Sequence, residues 1–312
     1  MSMKATRVAY GEWLAKAGDK YPNIVVVDAD LSASTMTRGF ADAYPRRFFN
    51  VGSAEQNLVS FSAGLALGGK RVFTSSFAIF ETGRAWDQIR NVVAHDKLNV
   101  ALVASHGGFS CAADGASHQA LEDIAIMRVI PNMKVVMPCD SEETVNALDA
   151  IMEASGPVYM RLRREKEPNL EKPYSFRLGR GEVMRDGGDV TLVASGMLVL
   201  NCLKAAEMLK EKGLDVRVLN IHTIKPLDEG ILVKAAEETG AIVTVEEHQV
   251  IGGLGGAVCE ALSENSPTHI YRLGVRDVFG QSSRTMGELL ELHGLTSEKI
   301  AASAENVIKK RG

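Results

Sequence analysis

Residues 23–31 read NIVVVDADL, an apolar β-forming run that ends in two acids. The same form returns at 70–76, 98–105 and 134–138. Strands that are apolar over most of their length are typical of a parallel sheet covered by helices on both faces. Helical patterns alternate with these strands, at 5–17, 55–67, 81–94, 118–128 and 141–154. The alternation predicts an α/β fold.

The composition changes at 166–187, which is charged, rich in proline and glycine, and without core periodicity. We interpret this stretch as a linker between a first domain over 1–165 and a second over 188–312. The second unit also alternates strands and helices, so each domain is expected to hold a mainly parallel sheet flanked by helices. Its predicted strands lie at 189–196, 215–220, 241–247 and 269–274, and its helices at 197–212, 228–239, 257–263 and twice more before the C-terminus.

The totals exclude several classes of protein. The formal net charge of the 312 residues is −4, with no long block of one sign, which argues against a nucleic-acid or membrane-surface role. No apolar run reaches membrane-spanning length, and the first residues show no signal-peptide pattern. The four cysteines are scattered without a CxxC pair, which indicates neither a disulfide framework nor a zinc site. A reduced, cytoplasmic compartment is expected.

Polar side chains gather where the strands of the first domain end. Asp30 and Ser34 follow the first of these strands, and His106 follows the strand at 98–105. The loop after His106 holds Asp114 and His118. Ligands of open parallel sheets bind beyond the carboxyl ends of the strands, so this clustering predicts a pocket. Each residue also has a structural interpretation as a turn or cap residue, and the spacing disfavours a metal site.

Glu55 stands in GSAEQ (52–56), at the start of a segment that is otherwise small or apolar. An acid in the first turn of a helix stabilises the helix dipole. A semi-buried acid beside a pocket is instead placed to share a proton with a ligand nitrogen. Similarly, the arginines of RLRREK (161–166) form either a solvated strand edge or an anion site. Composition and spacing leave both choices open.

Several motifs in a fixed order resemble those of a known enzyme family, and this resemblance favours functional roles for these residues. Over its whole length the chain resembles the pyrimidine-binding and C-terminal domains of transketolase, a thiamine-diphosphate enzyme, in the form whose two halves are separate subunits. The motifs that carry the resemblance are ATR, DADLSAS, GSAEQ, TSSFAIF, GGFSCAADGASHQ, RVIPNMKVVMPCD and GPVYMRLRR. Together they are specific, whereas each alone is weak.

The resemblance implies cofactor contacts. Glu55 matches the glutamate that hydrogen-bonds N1′ of the aminopyrimidine and so activates thiamine diphosphate. Phe77 and Phe80 match the aromatic residues that pack on the pyrimidine ring, and Asp30 and Leu31 match residues that lie against the cofactor. Gly83 stands where full-length transketolases commonly have a tyrosine, so one stacking contact is missing.

The resemblance also implies substrate contacts. Asp114 and His118 match groups that bind sugar hydroxyls near the reacting carbon, and with Glu55 they make up the predicted catalytic set. The remaining matches reach the sugar hydroxyls or the terminal phosphate, and they are His106, Arg7, Ser34 and Arg164. Forked guanidinium donors and a hydroxyl suit a phosphate dianion.

A partner chain follows from what the sequence lacks. The family binds diphosphate and Mg²⁺ through a GDG motif followed by asparagine, and no GDG occurs here. The resemblance therefore implies that an N-terminal subunit supplies this half of the site. It also implies a homodimer of this chain within an α2β2 heterotetramer, which transfers a two-carbon ketol unit between sugar phosphates in the pentose phosphate pathway.

Three alternatives remain open at this stage. Deoxyxylulose-phosphate synthase shares ADG..HQ and two arginines of RLRR, but it is normally one long chain and lacks a counterpart of His106. The β subunits of 2-oxoacid dehydrogenases have a matching glutamate but are not expected to combine His106, Asp114 and His118. A non-catalytic assembly subunit is the third. In the second domain the polar residues are interpreted as structural, with dimer contacts implied by the resemblance; they are Glu246, His248 and His222.

Overall fold

The computed structural model describes residues 3–170 and 176–311. Its α-helices are α1 (Thr6–Lys20), α2 (Ser32–Thr35), α3 (Arg38–Ala43), α4 (Glu55–Leu67), α5 (Ala78–Arg84), α6 (Trp86–Gln88), α7 (Asp123–Arg128), α8 (Ser141–Glu153), α9 (Leu198–Lys210), α10 (Glu229–Thr239), α11 (Leu254–Asn265), α12 (Met286–Leu292) and α13 (Ser297–Arg311). Its strands are β1 (Met3–Lys4), β2 (Ile24–Asp28), β3 (Phe48–Asn50), β4 (Arg71–Ser75), β5 (Val100–Ala104), β6 (Lys134–Val136), β7 (Val158–Arg161), β8 (Glu167–Pro168), β9 (Glu182–Arg185), β10 (Val190–Ala194), β11 (Val216–Asn220), β12 (Thr223–Lys225), β13 (Ala241–Gln249) and β14 (His269–Val275).

The first sheet has the strand order β12-β6-β7-β5-β4-β2-β3. Its strands run parallel except for β12 at the edge. Strand β2 is buried throughout; Val25 and Val27 pack into one hydrophobic cluster, and Ile24 and Val26 into another. Both faces of the sheet are therefore covered, which explains why the strand sequences are apolar without alternation. The predicted α/β fold is confirmed.

The second sheet has the order β14-β13-β10-β11-β9 and is parallel except for its edge strand β9. Strand β9 lies inside the stretch 166–187 that the sequence analysis interprets as a linker. Its four residues were missed because an edge strand of mixed polarity carries no buried apolar run. Residues 171–175 of the same stretch lie outside the described residues.

The two sheets are tied together through one strand and a common core. Strand β12 comes from the second half of the chain but pairs with β6 of the first sheet. One hydrophobic cluster contains Ile124 and Val135 from the first half together with Ile224, Leu254 and Val258 from the second. The sequence patterns predicted no such exchange, because a three-residue edge strand does not reveal its partner.

Two predicted helices differ from the structure. The stretch 118–128 is helical only from Asp123 onward, because Ala120 and Leu121 bond their carbonyl oxygens to the N–H groups of Gly108 and Gln249, at 3.0 and 2.8 Å. Those bonds tie the backbone to neighbouring segments and leave it unavailable to a helix. The stretch 81–94 begins earlier, in α5 and α6, and ends in a π-helix over 89–94.

Helix α8 begins as predicted. The carboxylate of Asp140 accepts hydrogen bonds from the N–H groups of Glu142 and Glu143, at 2.9 and 2.8 Å. The carboxylate of Glu143 accepts from the N–H of Cys139. This start resembles a capping box, although the returning bond goes one residue further back than in the usual motif.

Candidate functional site

The site lies along the carboxyl edge of the first sheet. Strands β7, β5, β4, β2 and β3 are consecutive neighbours, and the chain reverses its direction across the sheet between β2 and β4. Such a switch point opens a crevice between the loops that follow the two strands. The strand order therefore brings distant parts of the sequence into one row, namely Arg164, His106, Phe77, Asp30 and the GSAEQ turn.

One cavity of about 400 Å³ collects most of the predicted substrate groups. All six residues of the predicted substrate set line this cavity, together with Phe77 from the predicted cofactor set. They come from α1, from α2, from the turn after β4, from the segment between β5 and α7, and from the segment after β7. The lining residues are Arg7, Ala33, Ser34, Phe77, His106, Asp114, His118 and Arg164.

Aromatic rings form the wall between this cavity and Glu55. The rings of Phe77 and His106 stack with centroids 3.7 Å apart, and Phe77 stacks on Phe80 at 5.7 Å. His118 meets the edge of Phe80 at 5.1 Å. Stacked faces of this kind fit a planar heteroaromatic ligand and keep water away from it.

His106 is held in an unusual backbone conformation, with φ at 62°. Its Nδ1 atom is 2.8 Å from the hydroxyl of Ser105. Burial, followed by the positive charges of Arg7 and Arg164, lowers the pKa of His106 to about 3. His106 is therefore neutral at physiological pH and serves as a hydrogen-bonding group, so it adds no charge for an anion.

Two guanidinium groups supply that charge. Arg7 donates from Nη1 to the carbonyl oxygen of Ser34 at 2.6 Å, which fixes its direction towards the cavity. Arg164 is 3.3 Å from the carboxylate of Asp114. Burial and the charge of Arg164 lower the pKa of Arg7, as expected for two cations that face one space. The arrangement fits a phosphate or sulfonate group.

Glu55 is the first residue of α4, and its side chain is 5% exposed. Both of its carboxylate oxygens lie near Nη1 of Arg84, at 3.2 and 3.3 Å. The Arg84 guanidinium also lies 4.2 Å from the centre of the Phe80 ring. Sequence analysis missed Arg84, although its position four residues after Phe80 on one helix places the two side chains on the same face.

A second glutamate lies under the site. Glu81 is fully buried on α5 and bonds to the hydroxyl of Thr74, while its Oε2 atom has no hydrogen-bond partner among the described residues. Burial raises the pKa of Glu81 to about 7, and the charges of Asp28 and Glu55 add to this effect. Half of these side chains therefore carry a proton near neutral pH.

Asp30 and Leu31 follow β2 but are not among the residues that line the cavity. Asp30 has φ at 65°, and its carboxylate accepts from Nδ2 of Asn50 at 2.8 Å. The N–H of Leu31 donates to the buried carboxylate of Asp28 at 2.6 Å. These bonds fix a tight turn beside the GSAEQ segment.

Gly83 leaves an open space. A β-carbon added at this exposed position of α5 would have no described atom within 4 Å. A larger side chain at this position would therefore meet no described neighbour at its β-carbon.

The arginines after β7 divide into two groups. Arg161 and Arg163 are almost completely buried, in ion pairs with Asp123, Glu167 and Glu247. The interpretation of this run as a solvated edge is wrong for both of them, and only Arg164 reaches the cavity. Local sequence patterns do not reveal this burial, because two of the three acidic partners, Asp123 and Glu247, are distant in the chain.

The fold and the site define a class: a two-sheet α/β protein whose first sheet carries, at its carboxyl edge, a polar cavity lined by arginines and histidines, beside an aromatic wall and a buried glutamate. Residues 2–168 match the pyrimidine-binding domain of transketolase, and residues 179–300 match the transketolase C-terminal domain. The chain belongs to the transketolase family, as the pyrimidine-binding and C-terminal subunit of its split form. None of the described helices is long and apolar enough to cross a membrane.

Relatives of nearly the same length support this assignment. The chain is 48% identical to a putative transketolase C-terminal section of Methanocaldococcus jannaschii, with 98% of this chain and 97% of the relative covered. It is 41% identical to a 6-deoxy-6-sulfo-D-fructose transketolase subunit of Clostridium sp., with 98% and 95% covered. A solved structure described as a split gene transketolase, inactive beta4 tetramer, matches with a TM-score of 0.91 and 46% identity over 100% of both chains.

Proposed function

We propose that this chain is the C-terminal subunit of a thiamine-diphosphate-dependent transketolase. The enzyme transfers a two-carbon ketol unit from a ketose phosphate to an aldose phosphate, in the manner of the pentose phosphate pathway. The observation that carries the proposal is the single cavity that joins Arg7, Ser34, His106, Asp114, His118 and Arg164. Family membership alone leaves the substrate open.

The cavity supports an acyclic sugar phosphate as the substrate class. Arg7 and Arg164 neutralise a terminal dianion, and Ser34 adds a short donor. Neutral His106, together with Asp114 and His118, offers donors and acceptors for hydroxyl groups along the chain. A substrate of 2-oxoacid type has no row of hydroxyl groups and would leave these side chains unpaired.

The residues beside the cavity fit the cofactor's aminopyrimidine ring. Phe77 and Phe80 provide a stacked wall, the turn at Asp30 and Leu31 closes one side, and Glu55 supplies a buried carboxylate. Bound thiamine diphosphate supplies the carbon nucleophile that attacks the ketose carbonyl. Glu55 holds a proton between its carboxylate and N1′ of the ring, for which its oxygens must exchange their contact with Arg84.

The diphosphate and a divalent metal, Mg²⁺ or another ion, are proposed to be held mainly by an N-terminal partner subunit. The sequence has no GDG motif to bind them. Two copies of this chain and two of the partner would form the α2β2 heterotetramer. The related solved structure, described as an inactive beta4 tetramer of a split gene transketolase, supports this division of the site between two kinds of chain.

The deciding assay is turnover with xylulose 5-phosphate, ribose 5-phosphate, thiamine diphosphate and Mg²⁺. We expect no activity from the isolated chain and activity after co-expression with the partner that co-purifies from the native source. Robust turnover by the isolated chain would contradict the split-subunit proposal. A partner without GDG and its asparagine would contradict the proposed division of the cofactor site.

Replacement of the buried acid tests the catalytic role. Glu55→Gln keeps the shape of the side chain but cannot share a proton with N1′, so we expect a loss of at least about 100-fold in kcat in the assembled enzyme. The matched control is Gln56→Glu, which puts a carboxylate on the exposed neighbouring residue. An unchanged kcat in Glu55→Gln would reject the role of Glu55 and favour a non-catalytic assembly subunit.

The substrate class is tested by varying the acceptor substrate and the terminal anionic group of the donor sugar. Aldose phosphate acceptors are expected to support turnover, whereas pyruvate decarboxylation with glyceraldehyde 3-phosphate would favour a deoxyxylulose-phosphate synthase. Reduction of lipoamide would favour a 2-oxoacid dehydrogenase. Because a relative is a sulfofructose transketolase subunit, 6-deoxy-6-sulfo-D-fructose is compared with fructose 6-phosphate as donor. The ratio of their kcat/KM values identifies the terminal anion.

A further inference from the structure

Glu247 lies on β13 of the second sheet, yet its carboxylate contacts the loop that carries the substrate residues. The residue is 1% exposed. Its Oε1 atom accepts a hydrogen bond from the N–H of Phe109 at 2.7 Å. Phe109 stands between His106 and Asp114 in the sequence, in the 3₁₀-helical stretch Gly108–Asp114. A side chain of the C-terminal domain thus holds the backbone of the loop.

The second carboxylate oxygen of Glu247 is paired with Arg163, the residue before Arg164. Arg163 also pairs with Glu167. The backbone carbonyl of Glu247 accepts from Nη2 of Arg161 at 3.0 Å. One residue therefore joins two elements that reach the cavity, the loop after β5 and the segment after β7.

Two glycines allow the loop after β5 to lie directly against the side chains of Glu247 and Arg161. A β-carbon at Gly108, where φ is 60°, would overlap the Glu247 carboxyl and Nη2 of Arg161. A β-carbon at Gly107 would overlap the Arg161 side chain. Because buried guanidinium and carboxylate groups need partners, this close approach fixes the position of the loop relative to β13.

The far end of the same loop is fixed to the same cluster. Arg161 Nη2 also donates to the carbonyl oxygen of Ala120 at 3.1 Å, and its Nε lies 3.6 Å from the carboxylate of Asp123. The N–H of Gln249, two residues beyond Glu247, donates to the carbonyl oxygen of Leu121 at 2.8 Å. Both ends of the segment that bears Asp114 and His118 are thus anchored at the Glu247–Arg161 cluster.

We propose that Glu247 is a positioning residue for the substrate loop, through which the C-terminal domain sets sugar-phosphate affinity. The inference rests on the proposed function, since it assigns the loop to substrate binding. Glu247 touches neither the substrate cavity nor the aromatic wall, so it acts through Phe109 and Arg163. The residue holds Asp114, His118 and Arg164 in one mutual arrangement.

The neighbouring residue provides a matched control. Glu246 is also a buried glutamate of β13, with 1% exposure, but its oxygens accept from the N–H groups of Leu254 and Gly255 at 2.7 and 2.9 Å. Its side chain therefore caps the start of α11 and makes no described hydrogen bond to the substrate loop. Glu246→Ala and Glu247→Ala remove the same group from adjacent positions on opposite sides of one strand.

The first measurement is amide hydrogen exchange in the full-length chain. We expect Glu247→Ala to accelerate exchange at 107–114 by at least about tenfold, because the N–H of Phe109 loses its acceptor and Arg163 loses one of its two acidic partners. Glu246→Ala is expected to accelerate exchange at the start of α11 instead. The isosteric Glu247→Gln, which keeps an acceptor for Phe109, should give a smaller change than Glu247→Ala. Unchanged exchange at 107–114 in folded Glu247→Ala would overturn the proposal.

The second measurement is steady-state kinetics of the complex with the co-purified partner. Glu247→Gln should raise the KM for the sugar phosphates about tenfold, with kcat within about threefold and thiamine diphosphate affinity unchanged. Glu246→Gln should leave the KM for sugar phosphates as in the wild type. A fall in kcat at constant KM, or equal KM changes in both variants, would overturn the positioning role.

The two measurements separate this proposal from the proposed function. If the wild-type complex turns over no sugar phosphate, the proposed function fails, while the exchange data still decide whether Glu247 holds the loop. If both Glu247→Ala and Glu247→Gln unfold the chain, Glu247 is a requirement of the fold, and the positioning role is overturned.

Discussion

The chemistry of single residues here depends on their burial. In the sequence, His106 looks like a potential cation for a phosphate group. In the structure it is stacked on Phe77 and faces two arginines, which makes it a neutral hydrogen-bonding group. Glu81 looks like an ordinary helix residue, yet it is a buried carboxyl beneath Glu55. Neither environment can be inferred from neighbours in the sequence.

The ionisation of His106 is directly measurable. We expect its ring NMR signals to remain those of the neutral form from pH 8 down to pH 5, because burial and nearby arginines hold its pKa at about 3. His106→Gln identifies the signals. Arg7→Gln removes a positive charge that lowers the pKa of His106, so this variant should have a higher His106 pKa. Added inorganic phosphate should also raise it, because the anion neutralises the arginines. Titration of wild-type His106 near pH 6.5 without phosphate would contradict the described environment.

Glu81 predicts a pH-dependent stability. Its pKa rises from 4.5 to about 7 on folding, so between these values the folded chain keeps a proton that the unfolded chain loses. The stabilisation that this tighter proton binding gives to the folded chain is fully present below about pH 4.5 and is lost as the pH rises through 7. Glu81→Gln should therefore gain stability relative to the wild type as the pH rises, by about 3 kcal/mol at pH 8.

Urea denaturation at pH 5 and pH 8 checks this prediction. Exposed Glu237→Gln is the control for the loss of one carboxyl group. If Glu81→Gln and the wild type show the same dependence of stability on pH, Glu81 does not retain its proton on folding.

At the scale of elements, contacts outside the local sequence decide where helices and loops end. Helical spacing predicts a helix over 118–128, but Ala120 and Leu121 are bonded to Gly108 and Gln249, and the helix begins only at Asp123. The loop before Asp123 places His118 beside Phe80. A helix through these residues would turn them away from the bonds that hold the loop, so the failed prediction coincides with the candidate site.

Alanine substitutions at two glycines, one at an exposed helix position and one in the substrate loop, test the contact between that loop and Glu247. Gly83 is an exposed position of α5 with no described atom near the new β-carbon, so Gly83→Ala should stabilise the chain by about 0.5–1 kcal/mol. Gly108→Ala meets a left-handed backbone and the Glu247 carboxyl, so it should destabilise by at least about 2 kcal/mol. Thermal unfolding of both variants measures the difference. Equal melting temperatures would show that the loop does not lie on Glu247.

The whole molecule is held together by exchanges between its two halves. Strand β12 completes the first sheet, and Glu247 neutralises Arg163 across the boundary. One hydrophobic cluster runs through both halves. The C-terminal half is thus part of the folding unit, whatever its contribution to assembly.

A chain that ends at Leu170 tests this unity. It retains the pyrimidine-binding half, including Glu167, but loses β12, the second acidic partner of Arg163 and the part of the shared hydrophobic cluster that the second half contributes. We expect it to lack a cooperative thermal transition, whereas the full chain should unfold in one step by circular dichroism and calorimetry. A truncated chain that melts within a few degrees of the full chain would contradict the interdependence of the halves.

The sequence by itself determined the α/β class, the buried parallel strands, the start of α8 and, through ordered motifs, the family. These depend on local patterns: apolar runs, capping residues and turn glycines that act within a few positions of one another. The candidate site residues were also named from motifs, and the clustering of Asp30, Ser34 and His106 at strand ends followed from the rule for parallel sheets.

Only the tertiary structure decided which of those residues share a cavity, that Arg84 covers Glu55, and that Arg161 and Arg163 are buried. It alone showed β12 in the first sheet and Glu247 under the substrate loop. These relations join residues far apart in the sequence; Phe109 and Glu247, for example, are 138 positions apart. Burial and Coulomb interaction depend on distance in space, and distance in space is set by the packing of the complete chain.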